Sequence, residues 1–301
     1  MNAVIAVRGL HKSYGTVEAV RGVDLEVAEG EVFAFLGPNG AGKTTTVEIL
    51  EGYRERTGGE VTVLGLDPAK ATTAWRARIG IVLQTCDLQP MLTVRESVSL
   101  YAGYYPHPRP VDEAIELVGL SADVDKRAGK LSGGQQRRLD VALALVGDPD
   151  LLFLDEPTTG FDPAARRDAW DMIANLRRLG KTVFLTTHYL DEAQALADRV
   201  AIIKDGRIVA EGRPNELGGR QTAGTTIRFR LGPGTAPGQL PPSLAPRVTE
   251  AGDRLELVTD TAVDDLAVLC RWAVERGVDL GPLEAIRPSL EDVYLELTDS
   301  Q

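Results

Sequence analysis

Apolar and polar residues alternate, run together or recur every third or fourth place along this chain, and each change of period marks an element. Residues 4–8 and 23–28 alternate as half-buried strands do, and Gly15 and Gly22 punctuate turns between them, which predicts an antiparallel ribbon. Val32-Phe33-Ala34-Phe35-Leu36 is a continuous apolar run, the pattern of a strand covered on both faces, and the chain reads as helix from near Lys43 to Leu50. A turn at Thr57-Gly58-Gly59-Glu60 leads into a strand at Val61 to Gly65. Ala69 to Arg78 then reads as a helix, and Ile79 to Leu83 as a short buried strand ending at Gln84.

From Thr85 to Lys130 the period becomes helical. Thr93 with Glu96 three residues on caps one helix, Tyr105 to Pro110 is an extended turn, and Val111 to Val118 is a second helix closed by Gly119. The block predicts a helical subdomain, about 85–130, inserted into an α/β sheet. Ser132 with Gln135 caps the next helix, on which Leu139, Ala142, Leu143 and Val146 fall at helical spacing. Leu151-Leu152-Phe153-Leu154 is again a buried strand, Ala164 to Arg178 an amphipathic helix ended by Gly180, and Thr182 to Thr187 a buried strand with His188 at its tip.

Gly212 to Gly224 reads as linker. Beyond it, Thr225 to Leu231 and Arg254 to Thr259 alternate, with a glycine- and proline-rich loop from Gly232 to Pro246 between them. Thr261 caps a helix whose apolar face is Leu266, Cys270, Ala273 and Val274. Leu283 to Ile286 is a short strand, and Ser289 with Asp292 caps a last helix. This tail is a small α+β domain with no catalytic or metal-binding cluster.

Composition narrows the classes. The 301 residues, 43% hydrophobic, suffice for a large core, and a net charge of −11 removes any global attraction to nucleic acid. Cys86 and Cys270 match no metal or redox spacing, which fits a reducing cytoplasm, and His107 among its prolines carries no assignment. No signal peptide is evident, and no apolar run reaches the ~18 residues of a spanning helix, so membrane contact requires another chain.

The chemistry concentrates at strand ends. Gly37-Pro38-Asn39-Gly40-Ala41-Gly42-Lys43-Thr44-Thr45 follows a buried strand and opens a helix, the context of a phosphate-binding loop. Its glycines let backbone N–H groups curve around an anion, the helix N-terminus adds its dipole, Lys43 offers a charge to outer phosphates, and the Thr44 hydroxyl suits Mg²⁺. Asp155 and Glu156 are pushed to the end of their strand, where one acid can hold Mg²⁺ and the other can orient and deprotonate a water. Gln84 and His188 end buried strands that reach the same sheet edge; for Gln84 a solvated loop residue would be an equal reading without the other motifs. Ser132-Gly133-Gly134 at a helix start is a second anion-binding geometry or an ordinary cap. Tyr14 beside Gly15 can stack on a purine or pack against its turn.

In this order, the phosphate loop, Gln84, Leu131-Ser132-Gly133-Gly134-Gln135, Leu151 to Glu156 and His188 closely resemble the ATP-binding subunit of an ABC transporter, over residues 3–219. The resemblance implies a P-loop NTPase core of α/β class with an antiparallel β subdomain and a helical insert. It also implies a homodimer sandwiching two ATP molecules and an integral membrane permease as partner. It implies that Tyr14 stacks on adenine, that Lys43, Thr44 and Thr45 hold phosphate and Mg²⁺, and that Gln84 senses the metal. It further gives Asp155 as metal ligand, Glu156 as general base and His188 as a γ-phosphate contact, with Asp162 at the dimer interface and Ser132, Gly133 and Gly134, together with Gln135, completing the opposite site. Phe161 stands where the family most often has leucine.

The domain organisation that follows is 1–219 for the ATP-binding domain, 220–224 for a linker and 225–301 for the accessory domain. The tail ending Pro288-Ser289-Leu290-Glu291-Asp292-Val293-Tyr294, with Arg137-Arg138-Leu139-Asp140 and His188-Tyr189-Leu190-Asp191, is similar to the daunorubicin-type drug-efflux branch. The function expected is therefore an ATPase on the cytoplasmic face of the membrane that energises export of a drug or antibiotic. The tail dimerises or regulates the subunit, or is passive packing. A soluble ATP-dependent switch and an importer or lipid-exporter ATPase are the alternatives.

Overall fold

Apolar runs and alternating runs build two different sheets. The computed structural model describes residues 3–85, 88–217, 224–232, 234–286 and 290–299. The chain divides into two units, Met1–Pro214 and Asn215–Gln301.

The first unit contains β1 (Ala3–Tyr14), β2 (Val17–Ala28), β3 (Val32–Leu36), α1 (Lys43–Leu50), β4 (Gly58–Val63), α2 (Thr73–Arg76), β5 (Ile79–Val82), α3 (Val94–Ala102) and α4 (Val111–Leu117). It continues with α5 (Gly133–Leu145), β6 (Leu151–Asp155), α6 (Pro163–Arg178), β7 (Thr182–Thr187), α7 (Leu190–Leu196), β8 (Arg199–Lys204) and β9 (Arg207–Gly212). The alternating strands form an antiparallel sheet in the order β2-β1-β4. The apolar strands form a six-stranded sheet, β5-β6-β7-β3-β8-β9, parallel except for β9 at its edge.

Buried side chains of both sheets, with Val47, Ile49 and Leu50 of α1 and Trp75 of α2, form one cluster. Phe184 of β7 lies 5.5 Å from Phe33 of β3 and 5.6 Å from Phe153 of β6, ring centre to ring centre. Rings of this size bury enough apolar area to contribute about 2–3 kcal/mol each, which fixes the three central strands in register. Because those strands are parallel, the residues that follow β3, β5, β6 and β7 emerge at one edge. The helices α3, α4 and α5 pack on one another as the helical part of the unit.

Several boundaries differ from the sequence reading. The turn expected at Thr57 to Glu60 is mostly strand, because Gly59 at φ 87° lets β4 approach β1 so closely that a Cβ would meet Gly9 O at 2.2 Å. The helix expected from Ala69 to Arg78 is two pieces, a 3₁₀ turn at Pro68–Lys70 and the single-turn α2. Thr72 restarts the chain as N-cap by accepting from the Trp75 N–H, and the buried Trp75 indole donates to Val63 O at 2.8 Å. Residues 190–212, for which no pattern was read, hold α7, β8 and β9.

The second unit contains β10 (Thr225–Phe229), β11 (Val248–Ala251), β12 (Arg254–Thr259), α8 (Ala262–Arg276), β13 (Glu284–Ile286) and α9 (Leu290–Asp299). Its sheet is antiparallel in the order β11-β12-β10-β13. The loop from Gly232 to Pro246 contributes Leu240 and Leu244 to the core beside Ile227, Phe229, Leu257 and Leu269. Of the apolar face expected for α8, Ala273 is buried and Leu266 packs against the core, whereas Val274 is corrected, being 83% exposed; Asp265 and Leu269 complete the inward face. Asp265 sets that phase, because Arg247 grips its two oxygens at 2.8 and 3.2 Å and Thr259 Oγ1 donates to it at 2.5 Å. Thr261 occupies the N-cap but makes no side-chain cap bond. Residues 220–223 of the expected linker, the capping residue Ser289 and Cys86 lie outside the described residues.

Candidate functional site

The loop after β3 is built by its glycines. At Gly37 a Cβ would lie 2.4 Å from Ile203 O, and at Gly42, where φ is 103°, 2.4 Å from Ala19 O, so only glycine fits either place. Gly40 also has positive φ, at 80°. Pro38, Asn39 and Gly40 are exposed, whereas Ala41 is buried and tied to Gly206 through backbone. Lys43 begins α1 and is buried; its Nζ donates to Gly37 O at 2.6 Å and Pro38 O at 3.1 Å. Burial lowers the Lys43 pKa, and the facing charges of Glu156 and Asp155 oppose that shift. The Thr44 side chain faces solvent and Thr45 is half-buried, whereas Thr46 is turned inward and donates to Gly42 O at 2.8 Å.

Across the same edge lies Glu156. Its φ of 45° is a left-handed conformation that a non-glycine residue adopts only when its surroundings impose it. They do: its N–H donates to both Thr186 O and Thr186 Oγ1 at 3.1 Å. One carboxylate oxygen, Oε2, then gathers Gln84 Nε2 at 3.2 Å, Thr159 Oγ1 at 3.0 Å and His188 Nδ1 at 3.3 Å. Asp155 precedes it, half-buried, and accepts a hydrogen bond from Thr186 Oγ1. The structure thus brings Lys43, Gln84, Asp155, Glu156 and His188 to one strand edge.

The remaining predicted residues stand apart. Ser132 and Gln135 form a reciprocal capping box at the start of α5, with bonds of 3.3 and 3.0 Å, and Gln135 Nε2 also donates to Asp123 at 2.8 Å. Ser132 and Gly133 are exposed and Gly134 half-buried. Asp162 caps α6, accepting from the Ala164 and Ala165 N–H groups at 2.9 Å each. Tyr14 is 40% exposed and carries Lys12 and Arg54 over its ring at 5.0 and 5.3 Å.

Sequence reasoning missed Arg137. Its buried guanidinium donates to Asp155 O at 2.7 Å, to Pro157 O at 3.3 Å and to Leu83 O, tying α5 to the ends of β5 and β6. A positive charge at an inward helical position two residues after Gln135 was the available signal. Glu192 was missed too: wholly buried, it accepts from Thr158 Oγ1 at 2.8 Å and from the Trp170 indole at 3.2 Å, and burial raises its pKa.

Comparison with known proteins follows the same pattern. Residues 20–159 match the family described as ABC transporter, and residues 225–289 match a C-terminal domain described as that of ABC transporter domain-containing proteins. Nod factor export ATP-binding protein I of Paraburkholderia xenovorans is 39% identical over 98% of this chain and 97% of its own length. The chain belongs to the ATP-binding subunits of ABC transporters. It binds nucleotide and is an ATPase. Daunorubicin resistance ATP-binding protein DrrA3 of Streptomyces coeruleorubidus is 38% identical, covering 99% of this ABC subunit and 96% of its own chain. The cassette CbiO1 of Clostridium perfringens, part of the complex CbiONQ, has a TM-score of 0.67 at 30% identity, covering 72% of this chain and 90% of that one. A bacterial ABC transporter cassette solved as a dimer, MJ0796, has a TM-score of 0.61 at 29% identity over 69% of this chain and 98% of that one. Among the described residues, no helix of this subunit is long and apolar enough to cross a membrane.

Proposed function

We propose that this subunit hydrolyses ATP to drive export of a small molecule, a drug or antibiotic, through a separate membrane permease docked on its cytoplasmic face. The observation that carries the reading is the convergence of Gln84, Thr159 and His188 on Glu156 Oε2 at the edge that also holds the lysine loop. In this reading Glu156 accepts the proton of a water whose oxygen bonds to the γ-phosphorus while the bond to the β–γ bridging oxygen breaks. His188 orients Glu156 and touches the γ-phosphate, Tyr14 stacks on the base, and the backbone of residues 37–45 with Lys43 holds the phosphates.

The donor set also fits Mg²⁺. Thr44, Asp155 and the amide oxygen of Gln84 are all oxygen donors at one edge, and among the described residues no three His, Cys, Asp or Glu side chains form an all-protein cage. That is the sparse set a small hard cation takes when phosphates and water complete its shell. Bound there, Mg²⁺ neutralises charge on the phosphate oxygens.

Two copies, head to tail, would bring the exposed Ser132 and Gly133 start of α5 to the partner's nucleotide, with Asp162 at the interface. The dimeric cassette among the solved relatives supports this arrangement. The names of the relatives, for Nod factor export and daunorubicin resistance, support export. A groove of about 570 Å³ lies beside Leu83 and Thr85, which flank Gln84, and reaches Tyr101 of α3. We assign it to the permease. The test is Glu156→Gln: phosphate release should fall about 10²–10³-fold while MgATP still binds and dimer accumulates in sizing experiments. Hydrolysis at the parent rate would overturn the assignment of the base.

A further inference from the structure

The floor of that groove holds a side chain that nothing in the first unit explains. Glu51 closes α1 and is 7% exposed, yet no hydrogen bond or ion pair to its carboxyl occurs among the described residues. An acid at this place opposes the negative end of the helix dipole. A buried carboxyl without a partner is costly as well. Its surroundings add to the cost: Asp155 and Glu48 face it with like charge, and Asp140 lines the same groove. Burial, then the charges of Asp155 and Glu48, push its pKa up to about 8. Neither arginine beside the groove pairs with it. Arg54 pairs with Glu48 at 2.5 Å, and Arg76 sits exposed at the groove wall without reaching Glu51.

Above this acidic floor the rim is aromatic and open. Tyr53 is 74% exposed, Leu83 57% and Tyr101 40%. An apolar and aromatic rim over a buried acid matches a long basic side chain: its methylene stem lies along the rim, its cation faces the tyrosine rings, and its head meets the carboxylate. An acidic tip would add a like charge, and a neutral tip could meet Glu51 only as the protonated acid, without the charge-assisted bond that a cation gives the carboxylate.

We infer that Glu51 is the recognition residue of the groove, the acceptor for an arginine or lysine on the segment of the permease that enters it. The inference rests on the proposed docking of the permease in this groove. It also connects two sites by one element. Lys43 and Glu51 are the two ends of α1, about 12 Å apart along its axis, so a cation seated at Glu51 loads the helix that carries the phosphate loop.

The experiment uses the full chain and three fluorescent helical peptides of 14 or so residues, leucine- and alanine-rich, identical except for a central Arg, Gln or Glu. Binding is read by anisotropy on the parent, Glu51→Gln, Glu51→Asp and the rim variant Tyr101→Ala. The parent should bind the Arg peptide about 10-fold or more tighter than the Gln peptide. Glu51→Asp should keep a preference, Glu51→Gln should lose it, and Tyr101→Ala should weaken all three peptides, the Arg peptide most. Equal binding of the Arg and Gln peptides, or an Arg preference that survives Glu51→Gln, overturns the role of Glu51 while a Tyr101 effect leaves the groove standing. Absence of binding, or binding indifferent to Tyr101→Ala, overturns the groove as docking site and the inference with it.

Discussion

At Glu51, burial and charge pull against each other, and the conflict has a measurable sign. Its folded pKa of about 8 lies above the ordinary 4.5, so the folded state holds a proton that the unfolded chain releases between these values. Stability is therefore fully present below about pH 4.5 and falls as pH rises to about 8. Glu51→Gln removes the ionisable group without changing its shape. Denaturant unfolding should find the variant more stable by about 2–3 kcal/mol at pH 8.5, after allowance for solvent at the groove mouth, and equal to the parent near pH 5. A parallel pH dependence of the two proteins would refute this account.

Among the elements, α5 is held to the catalytic edge by Arg137 rather than by apolar packing alone. Its guanidinium satisfies carbonyls at the ends of both β5 and β6. Arg137→Ala leaves those carbonyls buried and unpaired, so it should cost about 2–4 kcal/mol in unfolding and lower ATP turnover, because Asp155 and Glu156 lose their brace. Arg137→Lys should recover little of either, since an ammonium cannot span three acceptors in that fork. The same residue shows where the sequence stopped being legible. The phosphate loop, Asp155 and Glu156, and His188 could be read because each follows an uninterrupted apolar run that fixes its place on the sheet edge. Arg137 could not, because its role exists only when segments 18 to 54 positions away fold against it. On α8 the inward place of Asp265 could not be read for a related reason: only Arg247, 18 positions away, and Thr259 across the turn before the helix make its burial tolerable. Gly59 read as part of a turn, but serves a close approach of two strands.

Among the described residues, each unit has its own core, one gathered around Phe184 and the other around Phe229, and each unit has its own weak point. In the second unit that point is Asp265. Burial opposes its ionisation, but bonds from Thr259 and Arg247 outweigh that and hold its pKa below the usual 3.8. The stabilisation is present above that value and lost as pH falls through the folded pKa. Asp265→Asn should lower the stability of the second unit by about 2 kcal/mol at pH 7, discounted for the half-exposed arginine. Calorimetry with and without MgATP separates the units: the nucleotide should raise the transition of the first unit and leave the shift caused by Asp265→Asn unchanged. A merged transition that responds to both would refute two independent cores.

The crowding at Glu156 Oε2 bears on how such a motor rests. A carboxylate oxygen already surrounded by an amide, a hydroxyl and an imidazole leaves the water to the second oxygen of the same group. Under the role proposed for it, the three contacts fix the plane of the carboxylate, and so the direction from which its second oxygen can meet a water. Of the three, Gln84 stands between Leu83 and Thr85 on the groove wall, within reach of a docked permease. A docked partner that moved Gln84 would turn that plane, and with it the timing of the engine.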